Sequence, residues 1–215
     1  MTTIDTPGQP PPHKDPSTIA AQPRPATGSS SSSRRSESAR LAVLNAADDL
    51  LVEQGFEGLT IEGIAAAAGV AKQTIYRWWK SKVDILFDNL VLDASTALAW
   101  PDSPSTPADL RAYVHRFAAF LGEAPAGRVL QALLGHAQLD SRTADLLHGG
   151  FLDELRARDV AHTRACLDPA GDDPDERAAL LLDALLAPLY HRALVLRRPL
   201  DTAFVDALLD RHLPR

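Results

Sequence analysis

The sequence predicts an all-α protein in which a small N-terminal unit of three helices precedes a larger helical domain. Apolar residues recur with helical spacing from residue 34 onward. Between the turn signals we find no run that alternates apolar and polar residues as a strand does. Capping residues and Gly or Pro stops divide the chain into helix-length pieces. These three observations predict helices packed on helices around one or two cores.

Residues 1–33 are predicted to be a disordered tail, because they are rich in Pro, Ser, Thr and Gln and offer little apolar surface to bury. Arg34 and Arg35 follow the tail, and Arg35 could act as a basic arm that reaches a phosphate or a minor groove. The N-terminus lacks the charged start and apolar stretch of a secretory signal, so export is not expected.

Residues 34–82 form the predicted N-terminal unit, with one long helix and two short ones. The first helix is predicted over 36–54, and Gly55 supplies its stop. Thr60 is the expected N-cap of the second helix, and Gly69 ends it in a tight turn. The third helix is predicted over 72–79, and Ser81 then caps a long fourth helix that begins the larger domain of 83–215.

Two proline-containing loops, 101–107 and 168–174, divide the larger domain. The remaining predicted helices are 108–122, 127–137, 141–147, 151–167, 175–197 and 201–213. The run 178–196 is the most apolar stretch, but Asp183, Pro188 and Arg192 interrupt it. These residues are costly at the centre of a bilayer, so the run is interpreted as a buried helix of a soluble protein.

The charge is unevenly distributed along the chain. The net charge is −6, yet residues 34–82 hold seven Lys and Arg against six Asp and Glu, and the rest of the negative charge lies further on. The N-terminal unit can therefore approach a polyanion that the C-terminal part repels. Cys166 is the only cysteine, so an intrachain disulfide is excluded and a reducing compartment is expected. Its predicted role is that of a small buried hydrophobe.

Residues 69–82, GVAKQTIYRWWKSK, carry two adjacent tryptophans among basic residues. Two short helices joined by a Gly turn have the form of a helix-turn-helix. Ile75 and Trp79 are four residues apart on the third helix and are predicted to face the core. Trp78 is left near the edge, where it either donates to a phosphate or only covers the hydrophobic core. The other stripe of this helix holds Lys72, Gln73, Tyr76, Arg77 and Lys80.

Residues 55–86, GFEGLTIEGIAAAAGVAKQTIYRWWKSKVDIL, resemble the TetR family of bacterial transcriptional regulators. The shared pattern is a Thr opening the second helix, Ala-Gly-Val at the turn, an aliphatic-Tyr pair, an aromatic pair and Lys-x-x-x-Leu. PLYHR at 188–192 and PLD at 199–201 resemble the dimer region of one subgroup. The resemblance implies a sequence-specific DNA-binding regulator, most often a repressor.

The resemblance also implies which residues contact DNA. Thr60, Tyr76, Trp78 and Lys82 match positions that hold phosphates, and Lys72, Gln73, Thr74 and Arg77 match positions near base edges. The chemistry agrees, because Lys82 lies at a helix N-terminus and the Arg77 guanidinium suits a guanine edge. Ala71 departs from the family, which often has Ser or Thr there, so one capping or phosphate-binding hydroxyl is absent.

One recognition helix contacts few base pairs, so a homodimer on a palindromic operator in double-stranded DNA is expected. The predicted dimer interface uses apolar residues of the last two helices, Leu181, Leu185, Leu189, Leu196, Leu208 and Leu209. The resemblance further implies a pocket for a small apolar effector in the middle helices. Its candidate lining is Trp100, Phe117, Phe120, Leu133, His136 and Phe151, although such residues are also ordinary core.

Two other classes of function stay open at this point. A regulator controlled by a protein partner would lack a closed cavity. An all-α enzyme would need a catalytic or metal site, and the available His and Asp residues form no recognised ligand pair. These residues are His115, His136, His148, His162, Asp140 and Asp145. No cofactor, metal or membrane is expected, and the cytoplasm is the expected location.

Overall fold

The computed structural model describes residues 29–102, 105–167 and 173–213, and this part of the chain is helical without a strand. Ten α-helices follow one another, with one π-helical turn before α8 and another after α9. They are α1 (Ser29–Gly58), α2 (Ile61–Ala68), α3 (Lys72–Trp78), α4 (Lys82–Ala97), α5 (Pro107–Gly122), α6 (Pro125–Ala137), α7 (Ser141–Leu147), α8 (Asp153–Ala165), α9 (Pro174–Tyr190) and α10 (Thr202–His212). The predicted all-α class is therefore confirmed.

Helix α1 begins at Ser29, earlier than the start at residue 36 predicted from the sequence. Residues 29–33 are thus helical and not part of a disordered tail, whereas residues 1–28 lie outside the described residues. Once a helix exists, each added residue gains one backbone hydrogen bond, and no proline lies between residues 26 and 58 to prevent this extension. Gly55 interrupts α1 with φ +71°, in agreement with its predicted role as a stop.

The N-caps of α2 and α4 are those that the sequence predicts. The Thr60 hydroxyl accepts from the backbone N–H of Gly63 at 3.0 Å, and the Ser81 hydroxyl accepts from that of Asp84 at 3.2 Å. Gly69 ends α2 at φ +66°. The turn between α2 and α3 is therefore only three residues long, and the two helices pack as a helix-turn-helix.

Helices α5 to α10 form the larger domain, in which α8 packs along α9, and α9 also contacts α5 and α10. A π-helical turn at His148–Leu152 joins α7 to α8, so the predicted helix 151–167 becomes α-helical only from Asp153, and the predicted helix 175–197 ends in another such turn at His191–Val195. The first contains the pair Gly149-Gly150, and the second follows Pro188, which donates no backbone hydrogen bond. Residues 103–104 and 168–172 of the predicted loops lie outside the described residues.

Helices α5 and α6 approach each other closely at Gly127. A Cβ atom there would lie 1.9 Å from the carbonyl oxygen of Phe120, so only glycine fits. This contact fixes the start of α6 against the end of α5, and it thereby positions the α6 residues that face the N-terminal unit.

The stretch Pro174–Val195 is long and apolar enough to cross a membrane by length and composition alone. Its inner face, which includes Leu182, Leu185 and Leu189, is buried against the neighbouring helices. One side of this stretch therefore packs within the larger domain, but only 22% of its apolar window is buried, so the stretch is less enclosed than the sequence predicts.

Candidate nucleic-acid interface and effector pocket

Helix α3 has one buried face and one exposed face. Ile75 is fully buried and Trp79, which caps the helix, is 3% exposed. Gln73 and Arg77 are exposed, and Tyr76 is 53% exposed. The outward stripe predicted from the sequence is thus exposed to solvent, as a helix face that enters a DNA groove must be.

The two tryptophans have different roles in packing. The indole N–H of Trp79 donates to Asp88 Oδ2 at 2.8 Å, and Arg40 Nη2 donates to the same oxygen at 3.0 Å. Trp78 is half-buried, packs edge-on against Trp79 with ring centroids 5.4 Å apart, and lies 4.9 Å from the Arg77 guanidinium. Trp79 therefore anchors α3 to α1 and α4, and Trp78 supports Arg77 at the surface.

Lys82 stands at the N-terminus of α4, beside the α2–α3 unit. Its Nζ donates to the carbonyl oxygen of Phe56 at 2.5 Å and lies 4.3 Å from the centroid of the Phe56 ring. The carbonyl and the ring hold the ammonium of a residue in the first turn of α4, and a cation at a helix N-terminus is an arrangement that favours a phosphate. Ala71 gives α3 no side-chain cap, as its departure from the family pattern implied.

The remaining predicted DNA contacts lie around α3. Lys72 Nζ pairs with Glu62 Oε1 of α2 at 2.6 Å, and this hydrogen bond lowers the pKa of the Glu62 carboxyl. Arg35, Thr74, Arg77 and Trp78 line an open cleft of about 510 Å³ between α1 and α3. Arg35 is thus part of a helix and borders the same cleft as Arg77, instead of extending from a disordered arm.

The larger domain contains an apolar cavity of about 420 Å³ between α5, α6, α8 and α9. Of the predicted lining residues, only Phe117 borders it. The sequence analysis missed the aliphatic residues of α8 and α9, because helical spacing does not distinguish a cavity wall from filled core. The lining residues are Phe117, Leu134, Leu152, Leu155, Arg156, Asp159, Leu182, Asp183, Leu186, Ala187, Tyr190 and Leu194.

The other predicted pocket residues are not brought together. Phe120 and Leu133 are core, and Phe151 borders a separate groove between α4 and α8. Trp100 is stacked between Tyr113 and His162, with ring centroids 4.3 and 4.6 Å away. His136 lies against the Phe56 ring at 4.5 Å, in contact with the N-terminal unit.

Asp159 is a buried carboxylate at the wall of the cavity, only 1% exposed. Its Oδ1 accepts from Trp100 Nε1 at 2.9 Å and from Arg158 Nε and Nη2 at 3.1 and 2.9 Å. Its Oδ2 accepts from the Tyr113 hydroxyl. Burial and this carboxylate raise the pKa of Tyr113 well above its usual range, so Tyr113 stays a neutral donor.

Most of the predicted interface leucines are packed within the protomer. Leu185, Leu189 and Leu209 are fully buried, which removes them as direct dimer contacts, and Leu181 and Leu208 are half-buried. Only Leu196 is exposed. The apolar face of α9 is wide: one side of it packs in the core and another side remains at the surface. The sequence pattern did not distinguish these two sides. The exposed or half-exposed side is the α9 strip, defined as Leu180, Ala184, Ala187, His191 and Val195.

Two contacts join the corner between α6 and α7 to the N-terminal unit and to the start of α4. The first is the His136 ring on Phe56, whose carbonyl holds Lys82. The second is an ion pair between Arg142 Nη2 and Asp84 Oδ1 at 2.9 Å. Asp84 Oδ2 in turn accepts from the backbone N–H of Lys80 at 3.0 Å. The start of α4, where Lys82 lies, is therefore held from the larger domain.

The histidines considered for an enzyme lie apart from one another. His115 pairs with Asp206 at 2.9 Å, His162 with Ser105 at 2.6 Å, and His148 is exposed in a π-helical turn. Cys166 is half-buried, and burial raises the pKa of its thiol to about 11, which is unsuitable for a nucleophile. Both observations agree with structural roles.

A helix-turn-helix with an exposed cationic face, attached to a helical domain with an apolar cavity, defines the class of DNA-binding regulators that carry their own sensor domain. Comparison with protein families agrees with this class. Residues 43–88 match the model of bacterial regulatory proteins of the tetR family, and residues 100–212 match the tetracyclin repressor-like C-terminal domain. The chain belongs to the TetR family, a family of transcription regulators and not of enzymes, and it is a DNA-binding transcriptional regulator.

Individual relatives support the same assignment along most of the chain. The uncharacterized HTH-type transcriptional regulator YdeS of Bacillus subtilis is 29% identical over 175 residues, which cover 81% of this chain and 88% of the relative. The DNA-binding transcriptional repressor TetR of Mycobacteroides abscessus is 29% identical, with coverages of 82% and 92%. The crystal structure of the TetR family regulator SCO0332 is 34% identical, covers 82% of this chain and 99% of its own, and has a TM-score of 0.62.

Proposed function

We propose that this protein is a cytoplasmic homodimeric repressor that binds a palindromic operator and leaves it when a small, mainly apolar effector fills the cavity between α5, α6, α8 and α9. The observation that carries the proposal is the pair of contacts from the α6–α7 corner to the start of α4. These contacts connect the wall of an apolar cavity with the DNA-facing end of the molecule.

The proposed DNA contacts fall into two groups. Thr60, Tyr76, Trp78 and Lys82 bind phosphates and set the position of the protein on the duplex. The other group approaches base edges in the major groove, where a guanidinium suits guanine and an amide suits adenine. This second group is Lys72, Gln73, Thr74 and Arg77, with Arg35 at the adjoining cleft between α1 and α3.

The α9 strip is proposed as the centre of the dimer interface. Its members are spaced by four, three, four and four residues, so they lie along one side of α9 and its terminal turn. Leu180 is 62% exposed and Val195 is 68% exposed, and the strip contains no Lys, Arg, Asp or Glu. Packing the strip against a second copy, with exposed Leu196 at its end, would remove this apolar surface from water.

The proposed release begins at Leu134, which borders the cavity on α6. A ligand that displaces this side chain displaces the end of α6, and His136 lies two residues further along. His136 then moves relative to Phe56 and Lys82, while the Arg142–Asp84 ion pair transmits motion of α7. The effector must favour the arrangement in which the two recognition helices no longer match the operator spacing.

A small-molecule effector is favoured over a protein partner because the larger domain is not a filled core. Two solved structures with the same fold are complexes with small molecules. One is the SmeT–triclosan complex, with 18% identity and a TM-score of 0.56, and the other is a regulator from Saccharomonospora viridis in complex with choline, with 19% identity and a TM-score of 0.59.

The decisive experiment is selection of bound sequences from a random pool of double-stranded DNA with the full chain. We expect enrichment of an inverted repeat whose half-sites lie about one helical turn apart or more. Sedimentation of the protein with the selected DNA should give two protomers per site. Enrichment of a single half-site bound by one protomer, or no enrichment at all, would contradict the proposal. The variant Val195→Asp should lose dimerisation, whereas Val52→Asp, exposed on α1, should not.

A further inference from the structure

The effector cavity has a polar end whose groups restrict the chemistry of the ligand. Most of the lining is aliphatic or aromatic, and it comes from four helices. Such walls favour an apolar body of the ligand through the area removed from water. The polar lining groups are Asp159 and Tyr190, together with Arg156 and Asp183. These four residues decide the charge and the hydrogen-bonding group that the cavity accepts.

Asp159 retains acceptor capacity that the protein does not use. Oδ1 accepts three hydrogen bonds, but among the described residues Oδ2 accepts only the one from Tyr113. An ionised carboxylate oxygen has two lone-pair sites, so one on Oδ2 is free. A buried acceptor gains more from a donor than an exposed one, because no bulk water competes for it.

Tyr190 supplies the complementary group. Its side chain borders the cavity, its ring packs edge-on against Phe117 with centroids 5.5 Å apart, and its hydroxyl makes no hydrogen bond within the described part of the chain. Burial, and then the nearby Asp159 carboxylate, raise the pKa of Tyr190 well above its usual range. Tyr190 is therefore a neutral hydroxyl that is available to donate.

The charges at the cavity disfavour ionic ligands. An anion would lie near the Asp159 carboxylate in a medium of low dielectric constant. A cation would leave water without gaining a free counter-ion, because Arg158 already neutralises Asp159. Arg156 and Asp183 form a two-bonded ion pair with each other, so neither is left to neutralise a ligand. A neutral ligand avoids each of these costs.

From this geometry we infer that the cavity binds an uncharged, mainly apolar molecule with one hydroxyl group, either an alcohol or a phenol. The ligand O–H donates to Asp159 Oδ2, and the ligand oxygen accepts from the Tyr190 hydroxyl. The inference rests on the proposed function, since it assigns the chemistry of the effector, but it can fail independently of DNA binding.

The test compares ligands that differ only in the hydroxyl. Calorimetric titration of the full chain uses 4-heptylphenol and 1-decanol, the methyl ether of each, and 4-heptylbenzoate. We expect at least one hydroxyl probe to bind about tenfold more tightly than its ether, and the benzoate to bind more weakly than both, because an unpaired buried acceptor rejects the analogue without a donor. The inference is overturned if neither hydroxyl probe binds more tightly than its ether, if the benzoate binds as tightly as the phenol, or if neither hydroxyl probe binds.

Two variants separate the polar end from the apolar walls. Tyr190→Phe removes one hydroxyl and should reduce the preference for the hydroxyl probe over its ether at least threefold, with an unchanged melting temperature. Leu186→Trp fills the cavity and should abolish binding of every probe. An unchanged preference in Tyr190→Phe contradicts the assigned contact, and unchanged binding in Leu186→Trp places the probes elsewhere. If a hydroxyl probe binds in the cavity but the selected operator DNA is not released, effector control fails while the ligand chemistry holds.

Discussion

The substitution Lys82→Ala tests in quantitative terms the proposal that Lys82 contacts a DNA phosphate. Lys82 is the first residue of α4, and its Nζ is held by the Phe56 carbonyl at 2.5 Å. Each phosphate contact contributes about 0.9 to the slope of log affinity against log salt concentration. A dimer loses two contacts, so the magnitude of the slope should fall by about 1.8. Between 50 and 200 mM salt, the wild-type protein should therefore lose roughly tenfold more affinity than the variant.

The measurement is fluorescence anisotropy of labelled operator DNA at four KCl concentrations, beside a non-operator duplex. Lys82→Ala should weaken both duplexes by a similar factor, and so should Tyr76→Phe. Arg164→Ala is the matched control, because Arg164 is an exposed cation at the end of α8 that pairs with Asp175. It should leave the slope unchanged. A slope that is unchanged in Lys82→Ala, or that falls equally in Arg164→Ala, would refute the proposed phosphate contact of Lys82.

Arg77→Ala should reduce the preference for operator DNA, whereas Lys82→Ala should weaken binding to any DNA. The Arg77 guanidinium lies over Trp78 on the exposed face of α3, where it can reach a base edge. Its loss should cost about 1–3 kcal/mol per half-site and relax the preference at one base pair. Non-operator DNA should be affected much less. Equal losses of both duplexes in Arg77→Ala and Lys82→Ala would contradict the division between base and phosphate contacts.

Three further predictions concern coupling, pH dependence and packing. Arg142→Ala should reduce ligand-induced release of DNA about two- to fivefold in a titration of operator DNA with the effector, while the affinity for effector alone is unchanged. Asp48 has a pKa raised by burial to about 6 from 3.8, so the folded protein binds this proton more tightly and loses stability as pH rises from about 4 to 6. Asp48→Asn should therefore stabilise by about 1–2 kcal/mol in urea unfolding at pH 7.5, after discounting for solvent screening, and by close to zero at pH 4. A gain in stability that is the same at both pH values would contradict its assignment to the raised pKa of Asp48. Gly127→Ala should destabilise by about 3 kcal/mol or more against the Phe120 carbonyl, whereas Gly135→Ala in the same helix meets open space and should stabilise by about 0.5–1 kcal/mol, and equal effects would refute the packing argument.

The sequence was most informative where structure depends on neighbouring residues. Thr60, Gly69 and Ser81 mark helix ends through their own side chains or backbone freedom, and each acts as predicted. Trp79 is buried as predicted, but α3 ends at Trp78, one residue before the predicted end of the helix, and Trp79 is its extended C-cap. These are interactions between residues close in the chain, and they need no knowledge of the remaining fold.

The sequence was less informative about surfaces that distant helices build together. His136 looked like a pocket residue but contacts Phe56, 80 positions earlier in the chain, and Arg142 pairs with Asp84, 58 positions earlier. The start of α1 was also predicted too late, because a Ser-rich segment has little periodicity to distinguish a helix from a tail.

The amino-acid sequence by itself determined that this protein is helical, where its short helices begin and end, and that α3 presents a cationic face. Only the tertiary structure decided which apolar residues line the cavity, which pack in the core and which form the exposed α9 strip. The physical reason is that helical periodicity specifies the side of a helix on which a residue lies. Whether that side meets another helix, an empty space or water depends on how all the helices are packed.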